Sequence, residues 1–117
     1  MSSDAEGKVI LAVIAARENI RLIQPWTSGR DLEALKSDTL VRHAIERAFI
    51  AIDSSIKEIP AALLGACGIP AAMIAVFRNA LAHTYEYILD ERVVLTIRED
   101  LPALDASLAS MLNAITK

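Results

Sequence analysis

Apolar residues recur at alternating steps of three and four along most of this chain, and nowhere does a period-two alternation persist between turn signals. Val9, Val13, Ala16, Ile20 and Ile23 form the first such stripe. Val41, Ile45, Phe49, Ile52, Ile56 and Ile59 form the second, and Met73, Phe77, Ala80 and Leu81 the third. The last is the longest: Val94, Ile97, Leu101, Leu104, Leu108, Met111 and Ile115. Residues so spaced share one side of an α-helix and present opposite faces of a strand. The expected fold is therefore all-α, an antiparallel bundle of four or five helices with short connectors. At 117 residues the chain is expected to make a single domain over 1–117.

Punctuation sets the expected boundaries. The first helix is predicted from about Asp4 to Gln24, ended by Pro25, because the residue before a proline is pushed out of the α region. The second is predicted to begin between Asp31 and Thr39, with Ser37 or Asp38 as its cap, and to end at Pro60. Pro70 suits the first turn of a third helix, which reaches Tyr85 or Tyr87. The last segment opens near Asp90, and Pro102 predicts a kink or break near Asp100 to Leu101.

Two apolar stretches resemble export or membrane signals without their context. Val9–Ala16 follows Asp4 and Glu6 rather than a basic cluster, and the helical pattern continues past it. Ile59–Phe77 is free of charge but holds Pro60, Gly65, Gly68 and Pro70, whose freed backbone groups would be costly in lipid. A helix end, an apolar loop and a new helix are expected there, with no membrane partner. A net charge of −3 argues against binding nucleic acid by bulk charge alone, though a local basic patch is compatible with it. The basic faces of the predicted helices include Arg17, Arg21, Arg42 and Arg47. A lone Cys67 excludes an intramolecular disulfide and a multi-cysteine zinc site, suits a reducing cytosol, and reads as a small packing residue. The expected location is cytoplasmic.

Most site chemistries have no foothold. The chain has no G-x-S-x-G, no phosphate-binding loop and no dinucleotide fingerprint. His43 and His83 lack a metal-ligand spacing, so neither metal nor cofactor is expected, and His43 reads as a partly solvated surface residue. The segment Phe77–Tyr85 is different, because it sets Arg78, Asn79, His83 and Tyr85 among small and apolar neighbours. At about 100° per residue, Asn79 and His83 share a face, and Arg78 and Tyr85 share a second line. Arg78 and His83 lie about 140° apart, so one ligand is reached by both only through the length of Arg, unless a two-fold partner faces a second copy across it. Such a cleft suits RNA cleavage without metal. His83 can take a proton from a ribose 2′-hydroxyl or give one to the leaving oxygen. Arg78 can hold the phosphate, and Asn79 can fix the ring tautomer or touch the phosphate. The competing structural reading pairs Arg78 and His83 with carboxylates such as Glu86 or Asp90 at a helix end.

Arg78-x-x-x-x-His83-x-Tyr85 resembles the R-x-x-x-x-H-x-Y motif of HepT-like proteins, a branch of the HEPN superfamily. The likeness extends to Ala44–Ile52, to Ile69-Pro70 ahead of Phe77-Arg78-Asn79, and to Leu101–Leu104, covering about Val9 to Ile115. It implies a helical bundle that dimerises with the motif at the two-fold interface. It further implies a ribonuclease toxin of a type VII-like toxin–antitoxin pair, whose partner is a minimal nucleotidyltransferase of the MntA type. Carried onto this chain, Arg78 and His83 are catalytic, Asn79 supports them, and Tyr85 is the hydroxyl that the partner modifies with AMP. Where many relatives have Gly-Glu-Ala late in the second helix, this chain has Asp53-Ser54-Ser55. The family's acidic residue thus falls on Ser54, with Asp53 beside it as the alternative support. Ala71 and Ala72 stand where relatives often carry Trp. The low positive charge and the missing Glu motivate an alternative function, a non-catalytic helical dimer that serves as a binding module for a minimal nucleotidyltransferase. A third reading is a bare structural dimer in which the motif only packs.

Overall fold

The computed structural model describes residues 2–85 and 89–116. Seven α-helices and one π-helical segment occupy the described residues, and no strand is found among them. They are α1 (Ser3–Thr27), α2 (Leu32–Ser37), α3 (Thr39–Lys57), α4 (Ala61–Ala66), α5 (Ala71–Tyr85), α6 (Glu91–Leu95), the π segment (Thr96–Asp100) and α7 (Leu101–Ile115). Short side chains start four of them. Ser2, Asp31, Asp38 and Asp90 each accept a hydrogen bond from the amide three residues on, at 3.2, 2.8, 3.1 and 3.1 Å.

Helix α1 packs against α3 on one side and α7 on another, while α5 packs against α3, α6 and the π segment. The stripes read from the sequence meet at one core. Val13, Ala16, Ile23, Phe49, Ile52, Ala80, Ile97, Leu101, Leu108 and Met111 are fully buried in it. No described helix is long and apolar enough to cross a membrane.

Three boundaries differ from expectation. Helix α1 runs through Pro25 to Thr27 instead of stopping at Gln24. Arg21, whose carbonyl loses its partner to the proline, is on the exposed face of the helix, open to solvent. Beyond the proline, the amide of Ser28 still reaches the Gln24 carbonyl at 3.0 Å, and Thr27 is buried with its hydroxyl on the Ile23 carbonyl at 3.1 Å. Packing of that last turn outweighs the local penalty. The second predicted helix is divided at Asp38, which ends α2 and caps α3; Ser37 instead bonds back to Ala34. The Arg30 guanidinium, 2.9 Å away, and the Val41 amide hold the Asp38 carboxyl below its usual range. The apolar loop before Pro70 contains the short helix α4. Gly68 closes it at φ +79°, a conformation that costs glycine least, and the Ile69 amide returns to the Leu64 carbonyl at 2.9 Å.

The break expected at Pro102 takes the form of the π segment. There the amide of Leu101 bonds to Thr96, five residues back, instead of to Ile97. The next amide in that register belongs to Pro102 and has no hydrogen, so neither residue serves the Ile97 carbonyl. Gln24 Nε2 donates to it at 3.0 Å. One bond thus joins the end of α1 to the joint between α6 and α7.

Candidate active site

Phe77 sets the register of the site. Its ring is buried against that of Phe49, with centroids 5.2 Å apart and planes tilted by 39°, which locks α5 onto α3 at that level. Asp53 lies one turn beyond Phe49 along α3, and Arg78 follows Phe77 on α5. The two side chains meet, with Arg78 Nε donating to Asp53 Oδ1 at 3.0 Å. Lys57, one turn farther along α3, reaches Asp53 Oδ2 at 2.9 Å. Burial pushes the Asp53 carboxyl up, but Lys57 and Arg78, one on each oxygen, outweigh it and hold it below the usual carboxylate range.

Arg78 is fixed through Nε alone. Its side chain is 48% exposed, and among the described residues its terminal nitrogens bond to no acceptor. The outer edge of the guanidinium is therefore free to take a phosphate. Of the two second-helix candidates, only Asp53 meets Arg78. Ser54 is exposed and points away, into a shallow groove shared with Lys8, Leu11 and Glu58.

His83 sits at the other end of the motif. Its Nδ1 is 3.1 Å from Asp90 Oδ2, and its Nε2 is 3.5 Å from a terminal nitrogen of Arg92. Asp90 uses its second oxygen to cap α6. Burial pushes the Asp90 carboxyl up, but the Val93 amide and the His83 ring together outweigh it, and the group lies below its usual value. The ring partner is thus Asp90, as the structural reading anticipated, and the Asn79 side chain makes no hydrogen bond among the described residues. Asn79 is exposed on the outer face of α5, together with Ala71, Ala72, Ala75, Val76 and Ala82.

Tyr85 is the last residue of α5; its side chain, like Glu86 and Tyr87, lies outside the described residues. His43 is exposed, as expected, and borders a small cavity with Arg42, Glu46, Thr84 and Leu89. The basic face read on α1 is neutralised by α7, with Arg17 2.9 Å and Arg21 3.9 Å from Asp105. Cys67 is half-buried at the end of α4, packed against the core.

A model of the family described as ribonuclease HepT-like matches residues 16–111. The chain belongs to the HepT-like family. Comparison with curated proteins and with solved structures returned no match. The matched residues of this HepT-like chain take in the second half of α1, all of α3 and α5, and most of α7. Arg78, His83 and their two carboxylate partners all fall within them.

Sequence reasoning missed Lys57 and Arg92. Lys57 stands four residues after Asp53, a spacing that joins opposite charges on a helix. Arg92 carried no comparable signal, because its nearness to His83 depends on where the chain re-enters helix after α5.

Proposed function

We propose that this HepT-like protein is a metal-independent endoribonuclease toxin that acts as a homodimer. The observation that carries the reading is the way Arg78 and His83 are held. Arg78 is anchored to Asp53 through Nε only, which leaves its guanidinium ends toward solvent, and His83 is held by Asp90 through Nδ1, with only a long 3.5 Å contact from Arg92 at Nε2. An arginine serving only stability has no use for an open guanidinium edge.

The outer face of α5 supports the dimer. Ala72, Ala75, Val76, Asn79 and Ala82 follow helical steps, are exposed, and are short enough to let a second helix approach closely. A two-fold axis along this face brings two copies of the motif to one cleft. His83 Nε2 takes the proton of a ribose 2′-hydroxyl, and the 2′-oxygen forms a bond to phosphorus. The bond from phosphorus to the 5′-oxygen breaks, and that oxygen receives a proton from the imidazolium of the second copy. The products are a 2′,3′-cyclic phosphate and a free 5′-hydroxyl. The two Arg78 side chains balance the charge that grows on the non-bridging oxygens. In this reading Asn79, exposed on the same helix, touches the phosphate.

The antitoxin in this reading is a minimal nucleotidyltransferase of the MntA type, which transfers AMP to the Tyr85 hydroxyl. An anionic nucleotide two residues from His83 fills the cleft and repels a substrate phosphate. Purified protein should cleave RNA in the presence of EDTA, and Arg78→Ala and His83→Ala should abolish cleavage with unchanged circular dichroism. Cleavage retained in both variants overturns the nuclease reading. A protein that binds the nucleotidyltransferase but never cleaves RNA is instead a helical binding module. Co-expression with that enzyme should add the mass of one or more AMP units, and Tyr85→Phe should abolish the gain.

A further inference from the structure

We infer that Asp90 is a positioning residue that holds His83 with its proton on Nδ1, and so makes Nε2 the nitrogen that accepts a proton. Two neighbours impose the same tautomer from opposite sides of the ring. Above the acid range the Asp90 carboxylate has only lone pairs to offer Nδ1, so that nitrogen must carry the hydrogen. The Arg92 guanidinium has only donors to offer Nε2, so that nitrogen must keep its lone pair. Either contact alone biases the ring. The Asp90 contact at 3.1 Å is the stronger, and the longer Arg92 contact favours the same arrangement.

Asp90 is itself immobilised. Its other oxygen caps α6 through the Val93 amide at 3.1 Å, and Val93 and Val94 are buried against the core. The orientation of the ring is therefore tied to the start of a packed helix rather than to a mobile surface carboxylate. On the α3 side, Arg42, His43 and Glu46 border the cavity beside Thr84. The side chain of Asn79, one turn before His83, is neutral and bonds to nothing among the described residues, so the work of fixing the tautomer falls to Asp90.

The consequence for catalysis rests on the nuclease reading, whereas the tautomer itself does not. The test uses the full-length protein with ¹⁵N-labelled histidine. Long-range proton–nitrogen spectra above neutral pH report which ring nitrogen carries hydrogen, and His43→Gln assigns the two rings. His83 should show a protonated Nδ1 and a bare Nε2. In Asp90→Asn the side-chain oxygen can keep the cap while the amide presents a donor to Nδ1, and the proton should move to Nε2. Asp90→Ser keeps a capping oxygen and withdraws the ring partner, and should give a mixture. A parent protein with His83 protonated at Nε2, or an Asp90→Asn variant with an unaltered ring, overturns the inference. In an RNA cleavage assay Asp90→Asn should lower kcat at least tenfold with KM unchanged. A parent protein with the expected tautomer but no cleavage at all counts against the nuclease reading and leaves Asp90 its positioning role.

Discussion

Arg78 is held by one nitrogen and open at the others, and this has consequences that separate charge from geometry. Lysine in its place keeps the charge but offers no second edge, so it cannot bond Asp53 and grip a phosphate together. Arg78→Lys should therefore lower RNA cleavage more than tenfold while the urea midpoint shifts little. Asp53 makes a prediction in pH. Its folded pKa lies below the usual value, so the ion-pair stabilisation is present above about pH 4 and is lost as pH falls through the folded pKa. Both cations are largely exposed, and solvent screening keeps the contribution to about 1 kcal/mol. Asp53→Asn should be less stable than the parent by that order at pH 7, and the difference in urea unfolding free energy should shrink toward pH 3.

At the scale of the element, local rules and packing can be told apart by experiment. The Ile97 carbonyl depends on Gln24 because the π turn and Pro102 both withhold their amides. Gln24→Ala should cost about 1 kcal/mol in urea unfolding, the usual net worth of such a bond. Two neighbouring glycines should respond with opposite signs. Gly68 has φ +79°, so Gly68→Ala should destabilise by about 1 kcal/mol although the added carbon meets nothing. Gly65 is helical with open space around it, so Gly65→Ala should stabilise by up to about 1 kcal/mol. The long helices were legible from the apolar stripes and Asp38 was among the caps foreseen, whereas the short helices α2 and α4 were not separately foreseen. The end of α1 was not, since a local proline rule says nothing about the buried Thr27 and half-buried Trp26 that draw the helix onward.

On the scale of the whole molecule, the long and narrow shape, 46 × 23 × 21 Å, gives each long helix a solvent-facing side. On α5 that side is the run of small residues around Ala75, flush with Asn79. If two copies meet there, Ala75→Arg places a bulky charge at the contact in each. Light scattering should then find a monomer with unchanged helicity, and RNA cleavage should be lost even though Arg78 and His83 are intact. A dimer that persists in this variant removes the α5 face from the interface.

What the chain's linear pattern determined was periodic: four helical rods, their buried stripes, and a motif that puts an arginine and a histidine five residues apart on one helix. Those features follow from spacing along a single helix, where 3.6 residues per turn leaves little choice. The partners of that motif were decided only in three dimensions. Asp53 rather than Ser54 meets Arg78 because two phenylalanine rings set how α5 lies along α3. Asp90 rather than Asn79 takes the histidine because α6 begins where its capping carboxylate can reach back to the ring. Contacts between helices depend on register and rotation, and these are fixed by the packing of side chains distant in sequence.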